Sequence, residues 1–392
     1  MWGTASPGAF PTLFLIVSET LNVIIMLGAA GPSLSERWVG GGRLAAARDA
    51  ADLAASLPGV ARIVLAAPKN ELAGQFRDWN VTCDFDAPET TFHFGRRLSE
   101  LLERYPADAY LYLGAGSVPL LPADVLAQVV VDVRRSGQPL AITNNLHSSD
   151  WMALNCPSAV QARPERLVND NALGWVLRTE ASVEVRSLPP SAATRLDIDT
   201  PADLLLLALH PGLGSELRRF LNDHPGDSSR WLAAGRRLYA PAGQVALIGR
   251  VSSAVWAHVE ANTQAWVRVM SEERGMTASG RLAAGQVKSF VGAHLSRLGP
   301  AAFFDELSHL VEAAFFDTRV VLAHAQRWPS AADRYASDLG LPGEIGDTWL
   351  RELTQAAIET QIPVVMGGHG VVSGDLYGLV EVARAGVLAR AS

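Results

Sequence analysis

The chain has 392 residues, of which 48% are hydrophobic and 19% are charged, and its formal net charge is −7. The length exceeds the ~250–300 residues at which one hydrophobic core stops growing, so we expect two domains in a globular protein. A net negative charge offers no electrostatic surface for nucleic acid or for an anionic membrane. The two cysteines, Cys83 and Cys156, are too few for a disulfide framework or a cysteine-rich zinc site and suit a reducing cytoplasm. We therefore expect a cytoplasmic protein.

Residues 10–31 form an apolar stretch that is long enough to suggest a membrane span. Pro11, Glu19 and Asn22 interrupt it, and a charge in the middle of a bilayer is costly. No positively charged segment precedes it, so a signal peptide is not expected either. Two buried strands, at residues 12–17 and 22–28, are the better interpretation.

The following residues, up to about 220, alternate between strand and helix patterns. Strands are predicted at residues 61–67, 109–113, 139–143 and 182–187, and helices at residues 43–56, 94–105, 122–134 and 203–209. Strands that alternate with helices imply crossover connections. We therefore predict that residues 1–222 form an α/β domain with a mainly parallel sheet covered by helices on both faces.

A polar stretch with turn residues, at 222–230, marks the predicted domain boundary. The second domain, residues 231–392, is predicted to be mostly helical, because apolar residues recur there at helical spacing. The two predicted helix stripes are Val255, Trp256, Val259, Trp266 and Val267, and Phe303, Leu307, Leu310, Val311 and Ala314. Short strands are predicted at 245–248 and 363–366. The glycine-rich residues 367–370 after the second of these form either a ligand loop or a simple turn.

Ligands of open parallel sheets bind at the carboxyl ends of the strands, so the residues that follow each strand are the candidates for a site. The first strand is followed by the glycine-rich stretch 28–43, whose backbone amides suit phosphate oxygens and whose Arg37 and Arg43 add positive charge. It contains neither a Walker motif nor G-x-G-x-x-G. A mobile glycine turn is the alternative interpretation.

Two further strand ends carry polar residues. The strand at 109–113 leads into a Gly-Pro turn that contains Gly116 and Ser117. The strand at 139–143 leads into a dense polar cluster that contains Asn144, Asn145 and Asp150. Asn, Ser and Asp also form capping and Asx turns, so a purely structural role is an equal alternative.

Asp197 and Asp199 give the most specific signal. They lie two residues apart on an extended segment, so their carboxylates point the same way. Two carboxylates at a strand end suit Mg²⁺, which prefers oxygen ligands and substrate phosphates. Thr200 and Pro201 also read as a helix start, with Asp203 in its first turn, and the two interpretations are compatible.

The order of these motifs resembles that of the MobA-like NTP transferases, nearest to the 2-phospholactate guanylyltransferase type, over roughly residues 20–215. The resemblance implies a GT-A-like fold of the nucleotide-diphospho-sugar transferase type. It also implies a nucleoside triphosphate bound over the glycine-rich loop, Mg²⁺ held by aspartates, and transfer of NMP to a small phosphorylated acceptor with release of pyrophosphate.

By position in the motifs, Ala29, Ala30, Gly31 and Ser33 correspond to the nucleotide loop of that family, and Asp197 or Asp199 to its second metal-binding aspartate. Two departures stand out. Arg37 and Arg43 stand only approximately where the family has an arginine and a lysine, and Ser117 replaces a metal-binding aspartate. Asp150 in the adjacent loop is the candidate to replace it. The predicted site comprises catalytic Arg37, Arg43 and Asp150, nucleotide-binding Ala29, Ala30, Gly31, Ser33, Gly116, Ser117, Asn144 and Asn145, and metal-binding Asp197 and Asp199.

Three functions are compatible with this pattern. The first is a Mg²⁺-dependent nucleotidyltransferase. The second is a protein of the same fold that binds a nucleotide or a sugar nucleotide without turnover, which the missing aspartate and lysine favour. The third is a GT-A-type glycosyltransferase in which Asp197 and Asp199 hold a metal against a sugar nucleotide.

Overall fold

A computed structural model describes residues 20–68, 76, 78–87 and 91–390, and it contains two β-sheets. The strand predicted at residues 12–17 lies outside the described residues. No helix of the described chain combines the length and the apolar character that crossing a bilayer needs.

The first region, residues 20–223, contains the larger sheet. Its strands are β1 (Leu21–Met26), β2 (Val60–Ala67), β3 (Thr82–Phe85), β4 (Ala109–Gly114), β5 (Leu140–Thr143), β6 (Trp151–Leu154) and β7 (Glu184–Ser187). Its helices are α1 (Leu34–Ala55), α2 (Phe94–Arg104), α3 (Ala123–Arg135), α4 (Pro157–Gln161), α5 (Leu173–Glu180), α6 (Ala192–Arg195), α7 (Pro201–Leu209) and α8 (Ser215–Asp223).

The strands of this seven-stranded sheet lie in the order β3-β2-β1-β4-β6-β5-β7. All pairs are parallel except those of β6, which runs antiparallel to β4 and to β5. β1 is central and apolar on both faces, as a strand covered by helices on both sides must be. The chain adds β2 and β3 on one side of β1 and then crosses to β4 on the other. The carboxyl ends of β1 and β4 therefore form a topological switch point, where a crevice for a ligand opens.

The second region, residues 229–390, contains a four-stranded parallel sheet in the order β11-β10-β8-β9. The strands are β8 (Gln244–Gly249), β9 (Trp266–Ser271), β10 (Ala313–Asp317) and β11 (Val364–Gly367). The helices are α9 (Ser229–Tyr239), α10 (Ser253–Asn262), α11 (Phe290–Leu298), α12 (Pro300–Leu310), α13 (Thr318–His324), α14 (Ala331–Leu339), α15 (Thr348–Glu359), α16 (Gly374–Arg384) and α17 (Val387–Arg390).

The predicted fold class is confirmed: a mainly parallel sheet with helices on both faces precedes a region with more helix than strand. The strands predicted at 245–248 and 363–366 are present as β8 and β11. Both predicted helix stripes are too long. Trp266 and Val267 lie in β9 and Ala314 lies in β10, because short apolar runs of β-branched and aromatic residues fit a strand as well as a helix.

The helix predicted at 43–56 begins nine residues earlier, at Leu34, and includes Gly40, Gly41 and Gly42. These glycines are therefore helical and do not belong to a phosphate-binding loop. Each marks a close approach: a Cβ at Gly41 would lie 2.6 Å from the Phe220 ring, and one at Gly42 would lie 2.7 Å from Leu204. Tight packing of α1 against α7 and α8 offsets the low helix propensity of glycine.

One hydrophobic cluster extends across both regions. It contains the buried leucines of α7 together with Trp231 of α9, Phe315 of β10 and Leu376 of α16. Leu206 is fully buried, and its methyl groups lie against Gly378 of α16, where a Cβ would come within 3.1 Å. The helix α7 therefore packs against residues of both regions.

Replacing Leu206 with alanine removes side-chain contacts from this shared cluster. We expect Leu206→Ala to lower the free energy of unfolding by about 2–5 kcal/mol, measured by chemical denaturation. Leu310→Ala is the matched control, because Leu310 is 52% exposed and its loss should cost no more than about 0.5 kcal/mol. Equal effects of the two substitutions would contradict the shared core.

Candidate functional site

Two adjoining cavities open at the carboxyl ends of β1 and β4. The first, here named the acidic cleft, has a volume of about 270 Å³ and is lined mainly by polar groups, among them Arg43, Asp150, Asp170, Arg195, Asp197 and Asp199. The second, the apolar cavity, has a volume of about 590 Å³, and its walls include Leu27, Ala29, Ala66, Phe92, Phe94 and Tyr112. Met26, Gly28, Gly114 and Asp170 line both, so the two cavities adjoin at the switch point.

Backbone contacts bring the segment 197–199 to the end of β4. The Ile198 amide donates to the Gly116 carbonyl at 3.0 Å. A Cβ at Gly116 would lie 3.0 Å from Cβ of Ile198, so this approach needs a glycine. Arg43 of α1 donates from Nε to the Ile198 carbonyl at 2.6 Å and from Nη2 to the Asp199 carbonyl at 3.1 Å. The segment is therefore fixed from two sides, and Arg43 is fixed with it.

Asp150 lies in the same cleft, directly before β6. Its amide donates to Oδ1 of Asn144 at 3.1 Å, and the Asn144 amide group donates back to the Asp150 carboxylate. Ser148 donates to the other carboxylate oxygen at 3.4 Å. Gly114, at the end of β4, donates from its amide to the Asp150 carbonyl at 3.0 Å. Asn144 therefore orients Asp150, and Asp150 lies beside the turn that holds Ser117.

The carboxylates of the cleft shift each other's pKa values. Burial, followed by the charges of Asp170 and Asp199, raises the pKa of Asp150 to about 7, although its hydrogen bonds from Asn144 and Ser148 oppose the shift. Burial, followed by the charges of Asp199 and Asp150, also raises the pKa of Asp197 well above its ordinary value. The cleft therefore holds more carboxyl groups than Arg43 and Arg195 neutralise, and a bound cation would favour their ionised forms, which makes it an environment for a cation.

The donor atoms of the cleft fit a hard divalent cation. They are carboxylate oxygens together with the side chains of Asn144, Asn145 and Asn171. Asp197 forms no hydrogen bond or ion pair with any residue that the structure describes, so its carboxylate is open to a ligand. Within the described ranges, no group of three His, Cys, Asp or Glu residues is arranged to hold a metal ion on its own. Mg²⁺ often takes one or two carboxylates and completes its shell with water and substrate phosphates.

The structure gathers most of the predicted site residues in this cleft. Those that line it are Arg43, Gly116, Ser117, Asn144, Asn145, Asp150, Asp197 and Asp199. Ser117 donates its hydroxyl to the Gly114 carbonyl at 2.7 Å, so it closes the turn after β4 and does not replace the missing carboxylate.

The predicted nucleotide loop has a different environment. Ala29 lines the apolar cavity, whereas Ala30, Gly31, Ser33 and Arg37 line neither of the two cavities. Ser33 is the N-cap of α1, and its amide donates to the Glu36 carboxylate at 3.1 Å. The same carboxylate covers Gly31, and Arg37 donates to the Pro32 carbonyl on the exposed side. The Ser33 amide is therefore satisfied within the protein.

Several residues of the cleft were not predicted. Asp170 lies in a short 3₁₀ helix before α5 and accepts a hydrogen bond from the Tyr112 hydroxyl at 3.1 Å. Arg195 ends α6. His369, Gly370, Ser373 and Gly374 come from the second region. The glycine-rich loop at 367–370 was the only sequence signal for this wall. The loop turns the chain, and its residues His369 and Gly370 line the cleft, while the binding of a ligand by the loop stays a prediction.

A buried pair of carboxyl groups joins the regions beside the cleft. Oδ2 of Asp203 accepts from the amides of Asp199 and Thr200, whereas its Oδ1 and both oxygens of Asp375 have no donor among the described residues. Asp203 and Asp375 are each only 1% exposed. Burial, followed by the charge of its partner, raises the pKa of Asp203, and burial raises the pKa of Asp375 to about 7. Two buried carboxyl groups without a donor in reach are favourable only when a proton neutralises part of their charge, so the folded protein keeps a proton on this pair.

No protein-family model and no curated protein sequence matches the chain. Solved structures similar to it include a cytidylyltransferase from Leptospira borgpetersenii, with 12% identity, 53% of this chain and 95% of that chain covered, and a TM-score of 0.39. Another is a 4-diphosphocytidyl-2C-methyl-D-erythritol synthase from Anaerococcus prevotii, with 11% identity, 47% and 94% covered, and a TM-score of 0.35. A third is a CMP:2-keto-3-deoxy-manno-octonic acid synthetase in complex with CTP, with 12% identity, 43% and 89% covered, and a TM-score of 0.34. Because all three TM-scores are below 0.5, we base the function on the geometry of the site.

The shared proton makes stability depend on pH. The unfolded chain releases this proton near the ordinary aspartate pKa of ~4 and the folded chain only near 7, so the free energy of unfolding falls as pH rises between these values. Asp375→Asn supplies an amide donor in place of the proton. The loss of melting temperature between pH 5 and pH 8 should therefore be smaller in Asp375→Asn than in the wild type.

Asp305→Asn, at an exposed site on α12, is the control and should keep the wild-type loss. An unchanged loss in Asp375→Asn would refute the shared proton.

Proposed function

We propose that the protein is a Mg²⁺-dependent nucleotidyltransferase that binds a nucleoside triphosphate across the two cavities and transfers NMP to a small acceptor, releasing pyrophosphate. The observation that carries this proposal is that the acidic cleft and the apolar cavity adjoin at the switch point of the parallel sheet and share four lining residues. The sequence resemblance to the MobA-like NTP transferases supports the same reaction.

The apolar cavity suits the nucleoside. Its volume of about 590 Å³ lies in the range of cavities that bury small ligands, and Phe92 and Phe94 offer aromatic surface to a base. Asp86, Arg97 and Asn169 at its walls provide polar groups for the base or the ribose. Arg97 is anchored by hydrogen bonds to Asp86 and to Asp84, which fixes its position.

The shared wall suits the triphosphate. Gly28 and Gly114 lie between the cavities. Among the described residues, apart from its two chain neighbours, no atom comes within 4 Å of where a Cβ of Gly28 would be. A phosphate chain that leaves the nucleoside there enters the acidic cleft, where Asp150, Asp197 and Asp199 would repel it in the absence of a cation. The proposal therefore requires Mg²⁺.

Asp197 and Asp199 are the residues proposed to hold Mg²⁺, with Asp150 in the place of the family aspartate that Ser117 replaces. When bound, the ion would neutralise phosphate charge and orient the phosphoryl group for in-line attack. Arg43 keeps the metal-binding segment at the end of β4 and adds one positive charge beside it. Asn144 holds Asp150 in the orientation that faces the cleft.

The second candidate is a protein that binds a nucleotide without turnover. Ser117 favours it, because its hydroxyl is committed to the Gly114 carbonyl and offers no charge to a metal. Release of pyrophosphate, measured with each nucleoside triphosphate and a panel of small phosphorylated acceptors, separates the two candidates. Stable binding with no release under any condition would support the second. Preferential binding of a nucleoside diphosphate sugar would instead indicate a glycosyltransferase.

The first test is nucleotide binding by isothermal titration with ATP, CTP, GTP and UTP, with Mg²⁺ and with EDTA. We expect one nucleotide to bind in Mg²⁺ and to lose at least about tenfold in affinity in EDTA, because an uncompensated carboxylate pocket repels phosphate. Asp197→Asn should cause a loss of similar size in Mg²⁺, because the variant lacks a proposed ligand of the ion. Asp305→Asn is the matched control and should bind as the wild type does.

Two results would contradict the proposal. One is the absence of binding by all four nucleotides. The other is binding that neither EDTA nor Asp197→Asn weakens, which would place the nucleotide outside the acidic cleft.

A further inference from the structure

The wall of the acidic cleft that faces away from the apolar cavity comes from the second region and from the end of α6. Gly367, Gly368 and Gly370 lie directly on the start of α7. A Cβ at Gly367 would lie 2.8 Å from Ala202 and one at Gly368 2.9 Å from Thr200, and Gly370 leaves no space beside the Asp203 carboxylate. The loop that carries His369 into the cleft is therefore held by backbone packing.

Arg195 lies at the base of this wall. A Cβ at Gly374, the first residue of α16, would clash with the Arg195 carbonyl, so the two backbones are in direct contact. Arg195 is one of the residues that line the cleft, and its Nη1 is buried without a hydrogen-bond partner among the residues that the structure describes. An unsatisfied guanidinium nitrogen is costly inside a protein, and it is suited to a bidentate contact with an anionic group.

His369 faces the same space. Its Nε2 lies 3.2 Å from the Arg250 carbonyl, an acceptor, so Nε2 carries the hydrogen and Nδ1 is left as an acceptor. Desolvation, followed by the charge of Arg250, lowers the pKa of His369 to about 4, although the residue as a whole is exposed. The imidazole is therefore neutral at pH 7, and its free nitrogen accepts a hydrogen bond from a ligand hydroxyl.

The Arg250 carbonyl itself is well anchored. The Arg250 guanidinium forms two hydrogen bonds with Asp317, from Nε at 2.6 Å and from Nη2 at 3.0 Å. Asp317 is fully buried at the end of β10, beside the end of β8. In the second sheet β9 and β10 lie on opposite sides of β8, so the carboxyl ends of β8 and β10 form its switch point. Arg250 and Asp317 lie at these two strand ends and thereby fix the carbonyl that contacts His369.

We propose that the second region forms the acceptor subsite of this cleft, and that the acceptor is a small hydroxylated anion whose phosphate or carboxylate group binds Arg195 and whose hydroxyl donates to Nδ1 of His369. This proposal rests on the nucleotidyltransferase function proposed above. In this proposal the first region binds the nucleotide, and residues where the two regions meet select the acceptor.

The test uses the full chain in Mg²⁺ buffer without nucleotide. The probes are glycerol 3-phosphate, glycolate and inorganic phosphate, titrated by calorimetry. We expect glycerol 3-phosphate or glycolate to bind, and the better binder identifies the anionic group. Arg195→Gln should weaken it by about tenfold or more, the size expected for a charge-assisted hydrogen bond. Arg195→Lys should keep part of the affinity, because the charge remains.

His369→Ala should weaken the hydroxylated probes and leave inorganic phosphate unchanged, because it removes only the hydroxyl contact. Arg62→Gln is the control for charge. Arg62 is exposed near the amino end of β2, whereas the cleft lies at the carboxyl ends of the strands. It should bind all probes as the wild type does.

Titration with Mg²⁺ and the preferred nucleotide separates this proposal from the function on which it rests. If Arg195→Gln loses nucleotide affinity as strongly as probe affinity, Arg195 belongs to the triphosphate and the acceptor subsite is refuted. The subsite is also refuted if the nucleotide binds but no probe does, a result that leaves the proposed function intact. Circular dichroism and the melting temperature of Arg195→Gln confirm that the variant is folded, and Arg195→Lys provides the second variant.

Discussion

The site depends on one close contact, in which the glycine-rich chain after β11 lies on the start of α7. Gly367, Gly368, Gly370 and Gly374 each occupy a position where a side chain would meet the backbone or side chains of residues 195–203. These are the residues that carry Asp197 and Asp199. The contact therefore closes the cleft on one side and keeps the acidic segment at the strand ends on the other. The hydrophobic cluster around Leu206 stabilises the same contact, and the buried Asp203–Asp375 pair lies within it.

Charge is the second constraint. The cleft collects Asp150, Asp170, Asp197 and Asp199, and the two arginines at its walls do not balance them. Burial and mutual repulsion raise the pKa of Asp150 and of Asp197, a cost that a bound cation would remove. In the proposed function this cost is the reason that the cleft takes a nucleotide only together with Mg²⁺. The guanidinium of Arg195 is positively charged, and its Nη1 has no partner among the described residues, so it favours an anion. The preference of the carboxylates for a cation and that of Arg195 for an anion therefore lie side by side in one cavity.

The sequence predicted what local patterns determine. The central strands were predictable because their apolar runs are bounded by turn residues, and Asp197 and Asp199 were predictable because they directly precede the Thr-Pro start of a helix. Gly40, Gly41 and Gly42 misled the prediction, because glycines that allow close helix packing look the same in sequence as glycines of a phosphate loop. Trp266 was placed on a helix for a similar reason, since a short apolar run has no distinctive period.

The wall made by Arg195 and His369 could not be predicted, because more than 170 residues separate them along the chain and only the fold brings them together. The pairing of Asp203 with Asp375 has the same origin. The predicted metal residues and the predicted nucleotide residues that line the cleft stay predictions, since their proximity makes a shared ligand feasible without identifying it.

A crystal structure with Mn²⁺ and a non-hydrolysable nucleoside triphosphate tests the central claim most directly, because the anomalous signal of Mn²⁺ locates the ion independently of the nucleotide. We expect the Mn²⁺ peak at bonding distance, about 2.2 Å, from a carboxylate oxygen of Asp197 or Asp199, the phosphates across Gly28 and Gly114, and the base among Phe92 and Phe94. A metal peak or a nucleotide outside these two cavities would contradict the account.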